Sequence, residues 1–289
     1  MKTNILTTII SLFLLGALIL ACSSCGDDNK KGADTPQDES VNPKPNQPIN
    51  LTVFIDLSDR IIKTRDGLRQ AEKDTALLNT IAQYVADKAQ SKNIRYAKDR
   101  MKIVFYPAPL DSAINKRAQA LEVDFGRYTK KDLVAKLQRA NDLARDFNKD
   151  LQVIYNDAIN QHNFTGSDIW GFFNSKVNDY CVKDGYRNVL VILTDGYIYD
   201  LNHKVEENGK ANFITKRTLA DGINLMPTGQ EVDNLEVLVL EVNANPVSDF
   251  AKIKSTISEW FDSMGIKTFK ITETDLPSNT EGVIKEFLK

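Results

Sequence analysis

The apolar stretch LTVFIDLSDRII, residues 51–62, ends in four polar residues, Asp56, Ser58, Asp59 and Arg60. A second apolar stretch, NVLVILTDG, carries Asp195 at the equivalent place about 140 residues later. Two carboxylates brought to one point have three outcomes. They share a hard divalent cation through their oxygens. They repel until one retains its proton. Or a fixed positive charge, here the Arg60 guanidinium, neutralises them without an ion.

Catalytic chemistry is harder to build from this sequence. Phosphotransfer through an aspartyl nucleophile is the closest type, because it also places an Asp at a strand end beside a metal. The Asp-x-Asp pattern of that chemistry is interrupted by Ser58, which removes the general acid. No Gly-rich phosphate loop follows the first strand, and neither Gly-x-Ser-x-Gly nor His-Glu-x-x-His occurs. The two histidines, His162 and His203, lie in polar stretches and read as solvated. The chain therefore reads as a non-enzyme, with a metal-dependent phosphoester hydrolase as an alternative.

The acids need elements to hold them. LTVFID reads as a short β-branched strand, and the following helix, DTALLNTIAQYVADKAQ, sets Leu77, Leu78, Ile81 and Val85 on one face. MKIVFYP is a strand stopped by Pro107, ALEVDF a short third strand, and residues 130–160 a helical region. DIWGFFNSKVNDYCV reads as one helix interrupted by Gly171, its aromatic residues belonging to the core. It leads to the strand NVLVILTD, and NLEVLVLEVN follows as another. Residues 248–265 form a helix with Ser248 as N-cap, an apolar face of Phe250, Ile253, Ile257, Trp260 and Phe261, and Gly265 at its end. KTFKIT closes the sheet and EGVIKEFLK is the last helix.

Strands alternating with helices predict an α/β fold, a doubly wound, mostly parallel six-stranded sheet with helices on both faces. Ligands of such sheets bind beyond the carboxyl ends of the strands, where the strand order reverses. For the order 3-2-1-4-5-6 that point lies between strands 1 and 4, and Asp56 and Asp195 would stand there side by side.

The segments DLSDR at 56–60, GSDIWGFF at 166–173 and LTDG at 193–196 resemble the three parts of the metal-ion-dependent adhesion site of the von Willebrand factor type A domain. The resemblance implies that Asp56, Ser58, Ser167 and Asp195 hold the metal, with Thr165 a second candidate for the position of Ser167. Hydroxyl and carboxylate oxygens favour Mg²⁺, with Mn²⁺ and Ca²⁺ as competitors. The open coordination position would accept a carboxylate from a protein or other macromolecular partner. The departure is Arg60, which stands where the family has its second Ser. It either tunes the charge of the site or takes the cation's place, and Asp59 beside it is a possible extra ligand. The metal-free alternative is a structural or assembly protein of the same fold.

Beyond the domain, the sequence points to the cell envelope. Lys2 precedes an uncharged stretch from Ile5 to Ala21, and Cys22 follows. LILAC resembles the lipobox of bacterial lipoproteins, and the acidic SSCGDD is similar to surface-export signals of Bacteroidetes lipoproteins. Residues 1–21 thus read as a signal peptide and Cys22 as the lipidated residue, anchored to the outer membrane. Residues 22–50 read as a polar, Pro-containing linker and residues 51–289 as the domain. Cys181 reads as a small core residue rather than a partner for Cys25. The formal net charge of −2 gives no basic footprint for nucleic acid. Tyr197, Tyr199 and His203 could line a partner surface, and the long segment 106–165 exceeds what the motifs need.

Overall fold

Strand β1 (Ile49–Ile55) is buried at all seven positions, as a central strand covered on both faces must be. Its two polar residues have partners. Asn50 donates to the Cys181 carbonyl at 2.8 Å and to Asn188 Oδ1 at 3.0 Å, and Thr52 donates to the Tyr180 carbonyl at 3.0 Å. The computed structural model describes residues 47–91, 93–162, 164, 166–200 and 205–289. The signal peptide, Cys22 and Cys25 lie outside the described residues, as do Thr165, His203 and all but the last four residues of the linker.

After β1 come α1 (Gln70–Ser91), β2 (Arg100–Val104), α2 (Ser112–Leu121), β3 (Val123–Asp124) and α3 (Leu133–Asn160). Next are α4 (Ile169–Ser175), α5 (Val177–Cys181), β4 (Arg187–Leu193) and α6 (Lys216–Asp221). The chain closes with β5 (Glu236–Val242), α7 (Phe250–Ser263), β6 (Thr268–Glu273) and α8 (Pro277–Leu288). The six strands lie in the order β6-β5-β4-β1-β2-β3, all parallel except the short edge strand β3. This is the doubly wound sheet read from the sequence, with its reversal between β1 and β4.

Alternation along the strands divides the core in two. Leu51, Val53 and Ile55 of β1, with Val189 and Val191 of β4, face a layer built by α1, α2, α3 and α8. Phe54, Leu190 and Ile192 face α4, α5 and α7. On that side Phe173 meets Trp260 edge-on with ring centroids 4.9 Å apart, and Phe261 lies 5.6 Å from the same ring. The aromatic residues of IWGFF thus serve mainly the core. Cys181 is buried and free, and burial pushes its thiol up to about 12. Among the described residues no helix is long and apolar enough to cross a membrane.

Several boundaries differ from the sequence reading. Helix α1 begins four residues before Asp74, so Asp74 lies inside the helix rather than at its start. The segment read as one helix across 168–182 is two, and the break falls at Lys176 rather than Gly171. Gly171 stays helical because the Asp168 carboxylate caps the first turn, accepting from its N–H at 2.6 Å. A Cβ at 171 would lie only 2.1 Å from that carboxylate. Ser248 is not an N-cap: it lies within a 3-10 turn, Val247–Asp249, that leads into α7. The segment 106–165 contributes α2, capped by Asp111, which accepts from Ala113 N–H at 2.7 Å. In ALEVDF only Val123 and Asp124 are strand, because Ala120 and Leu121 finish α2.

Opposite the carboxyl edge, Arg187 joins three elements. Its guanidinium meets Glu236 of β5 through two bonds, 2.8 and 2.6 Å, and donates to the Phe287 and Leu288 carbonyls of α8 at 2.7 Å. Charge-assisted bonds of this kind contribute about 1.5–3 kcal/mol each when one partner is removed and the other stays buried. Arg187→Ala is expected to cost about 3 kcal/mol in urea denaturation. Amide exchange should speed up over residues 277–288 before the rest of the sheet.

Candidate functional site

Asp56 and Asp195 leave adjacent strands and are held by the continuing ladder. Asp56 N–H donates to the Leu193 carbonyl at 3.0 Å, Thr194 N–H to the Leu240 carbonyl at 3.2 Å, and Asn243 N–H to the Asp195 carbonyl at 3.0 Å. Asp56 is 1% exposed, and both its side-chain oxygens are engaged. Oδ1 accepts from Ser58 N–H at 2.8 Å and Oδ2 from the Thr194 hydroxyl at 2.9 Å. Asp195 Oδ1 accepts from Tyr197 N–H at 3.2 Å. Gly196 makes this turn with φ +91°, and a Cβ there would meet Val242 at 2.8 Å and Ile253 at 2.9 Å.

Ser58 and Ser167 arrive on separate loops. Ser58 caps the 3-10 turn Asp59–Ile62 and accepts from Arg60 N–H at a long 3.5 Å. Ser167 exchanges backbone bonds of 2.9 and 3.0 Å with Tyr199. The close approach needs Gly166, at φ +89°, where a Cβ would lie 2.5 Å from the Tyr199 carbonyl. The Ser167 side chain is buried, and its hydroxyl has no hydrogen-bond partner among the described residues. That costs about 1–3 kcal/mol unless a ligand meets it.

A depression of about 440 Å³ opens over this point, and Ser58, Asp59, Ser167, Asp195, Tyr197 and Tyr199 are among its walls. Asp56 is not part of its wall; it is buried close enough to Asp195 for its charge to act on that carboxyl. The structure therefore brings Ser58, Ser167 and Asp195 to one depression, with Asp56 buried next to it. Asp59 is on the rim, well exposed and 3.4 Å from Lys63 Nζ. Thr165 lies outside the described residues.

Of the two roles left to Arg60 by the sequence, the structure does not show the one inside the crevice: its side chain turns inward beneath Asp56 and is 1% exposed. Nη1 and Nη2 both donate to Asp74, at 3.3 and 2.6 Å. Nη2 also donates to the Leu193 carbonyl at 3.0 Å, and Nε to the Asp56 carbonyl at 3.0 Å. Asp56 Oδ2 is 3.6 Å from Nε. Burial by itself would lower the Arg60 pKa, but Asp74 and then Asp56 raise it above the usual arginine range. Tyr155 of α3 donates to Asp74 Oδ2 at 2.9 Å, and Gln70 bridges Asp74 and Glu241 at 2.9 and 3.0 Å. Glu241 sits at φ +67°, next to an irregularity in the β5–β6 register. Its carboxylate accepts from Thr274 at 2.7 Å.

The cation that faces Asp195 in the open crevice is Lys63, with Nζ 3.6 Å from Oδ2. Burial, then the charge of Asp56, pushes the Asp195 carboxyl up to about 6, with Arg60 and Lys63 opposing the shift. Two carboxylates and two hydroxyls, the buried one of Ser167 without a partner among the described residues, fit a hard cation better than a soft one. No cluster of three or more His, Cys, Asp or Glu suited to a metal occurs among the described residues, so the hydroxyls are essential to such a site.

Sequence reasoning passed over Asp74, Tyr155, Thr194 and Lys63. Asp74 had a signal: with Leu77, Leu78 and Ile81 it follows the i, i+3, i+4, i+7 spacing of the buried face. A carboxylate in that stripe demands a partner. Nothing in the sequence named that partner, which comes from the loop fourteen residues earlier.

No protein-family profile matches the sequence, and no curated relative matches it. Among solved structures it is similar to an aerotolerance-related membrane protein from Bacteroides fragilis NCTC 9343, carrying multiple mutations to serine. The two are 11% identical with a TM-score of 0.35, and the match covers 83% of this chain and 98% of the other. It is also similar to the pilus adhesin SpaC from Lactobacillus rhamnosus GG at 10% identity and a TM-score of 0.39. That match covers 83% of this chain and only 30% of the adhesin.

Removing one member of a buried ion pair leaves the other charge unmet and costs about 3–5 kcal/mol, whereas replacing both with apolar groups is often neutral. Asp74→Ala is therefore expected to lose about 3–5 kcal/mol in urea denaturation. The double change Arg60→Met with Asp74→Leu should recover most of it.

Proposed function

We propose that this chain is an envelope-tethered, von Willebrand A-like binding protein that engages a macromolecular partner through a divalent cation. Asp56, Ser58, Ser167 and Asp195 hold the ion, with Mg²⁺ favoured over Mn²⁺ and Ca²⁺. The observation that carries the reading is the Ser167 hydroxyl, buried in the wall of the same depression as Asp195 and without a partner among the described residues. An oxygen in that position gains a partner when a cation enters, and the crowding of Asp195 against Asp56 is relieved at the same time. The ion would supply a Lewis-acidic position for a carboxylate from the partner. The role is one of binding, and no catalytic step is assigned to it.

Lys63 supports a second reading. Its ammonium stands 3.4 Å from Asp59 and 3.6 Å from Asp195, a resident positive charge at the rim. In a metal-free assembly protein that contact would be permanent. Under the cation reading it is displaced, and the half-exposed lysine swings into solvent while the ion takes its place at Asp195.

Calorimetry of the full chain separates the two. The cation reading expects saturable heat with Mg²⁺ and Mn²⁺ and a melting temperature lowered by chelator. It also expects loss of binding in Asp195→Ala and weakening of about tenfold in Ser167→Ala, or ~1.4 kcal/mol. Silent titrations and a melting temperature indifferent to chelator would leave the metal-free reading standing. The tether has its own test. Cys22→Ser should move the protein from the membrane to the soluble fraction and remove the lipid mass from the mature chain. An unchanged mass and distribution would sink the lipoprotein assignment.

A further inference from the structure

Two depressions meet at the site. The first, of about 440 Å³, is the one over Ser167, and a second of about 470 Å³ adjoins it on the side of β5. Lys63, Asp195, Tyr197 and Lys216 line both, so they form the ridge between them. Beyond the ridge, the second depression adds Arg65, Asn243 and Asn245.

The charges of the second depression are one-sided. Lys63, Arg65 and Lys216 face a single carboxylate, Asp195. Arg65 is steadied by Asn243, to which Nη1 donates at 2.8 Å, and its acidic neighbour Asp66 is 3.9 Å away and half-exposed. Lys216 has no ion-pair partner among the described residues. Once a cation engages Asp195, the ridge loses its negative charge as well, and Lys63 is released. The first depression differs in chemistry, because Phe164 and the exposed ring of Tyr199 give it an apolar wall.

We propose that the second depression receives a carboxylate from the same partner segment whose first carboxylate meets the cation. The partner is then an acidic polypeptide segment in which an apolar residue adjoins two acidic ones. The apolar residue covers Phe164 and Tyr199, the first acid reaches the ion, and the second crosses the ridge to Lys216 and Arg65. A free inorganic anion would satisfy the cations but leave the apolar wall uncovered. A polypeptide covers both. This inference rests on the cation reading above.

The test is selection of a random linear peptide library, displayed on phage, against the immobilised full chain in Mg²⁺, followed by fluorescence anisotropy of synthetic enriched peptides. Enriched sequences should carry paired acids beside an apolar residue. The double change Lys216→Gln with Arg65→Gln should weaken their binding about tenfold, as expected for loss of charge-assisted bonds, and flatten its salt dependence. Replacing one of the two acids with its amide should weaken binding to the native chain but have little further effect on the double variant. Mn²⁺ affinity of the variant by calorimetry should stay within about twofold, since neither residue supplies an oxygen to the ion. Absence of enrichment, enriched peptides without excess acid, or equal binding to native and variant chains would each overturn the proposal. The two ideas fail separately. Silent Mn²⁺ calorimetry removes the cation, whereas Mn²⁺ binding with peptide affinity indifferent to Lys216 and Arg65 removes only the second subsite.

Discussion

A guanidinium with almost no exposure persists in a protein interior only when its donors are met, and Arg60 meets them with Asp74, the Leu193 carbonyl and the backbone of Asp56. These contacts tie the first site loop to α1, to the end of β4 and, through Tyr155, to α3. Such a pair adds little stability over apolar side chains of similar size. Its contribution here is positional. With Arg60 held below, the Asp56 carboxylate is fixed by Ser58 and Thr194, 3.6 Å from a guanidinium that takes up no room in the crevice.

The polar floor continues past the pair. Asp74 leads through Gln70 to Glu241 and on to Thr274 just after β6, so one connected set of hydrogen bonds underlies the carboxyl ends of β1, β4, β5 and β6. Burial holds the Glu241 carboxyl above its usual range, against the bonds from Gln70 and Thr274. Its left-handed backbone is the kind of strain that persists where surrounding structure dictates it. Above this floor the arrangement is less complete. The Ser167 hydroxyl has no partner among the described residues, the Asp195 carboxyl is pushed up by its surroundings, and the nearest cation is a half-exposed lysine. A satisfied floor beneath an unsatisfied mouth is what a ligand-binding crevice requires.

Much of the fold was legible because its signals are local. Strands β1, β4 and β5 are built around short apolar runs, VFI, VLVIL and VLVL, α1 and α7 carry helical stripes, and the alternation of the two leaves few topologies. The misses have local causes as well. Helix α2 has a sparse stripe, Ile114, Ala118 and Leu121, in a polar stretch. The Lys176 break between α4 and α5 has no Pro or Gly to announce it, and Gly171, a helix breaker by residue type, is held in the first turn by its capping partner Asp168.

The sequence by itself determined the sheet, the placing of Asp56 and Asp195 at its reversal point, and the donor types that suit a hard cation, because strand periodicity and residue chemistry are properties of short segments. Only the tertiary structure decided where Arg60 points. Its position in the sequence, one residue after Asp59 and four after Asp56, fits either a guanidinium in the crevice or one beneath it. The choice came from Asp74, a carboxylate buried on α1 that needed a counter-charge, and from the Leu193 carbonyl, which accepts from Arg60 as well as from Asp56 N–H. The same packing left the Ser167 hydroxyl without a partner among the described residues and put Lys63, not Arg60, beside Asp195 in the open crevice.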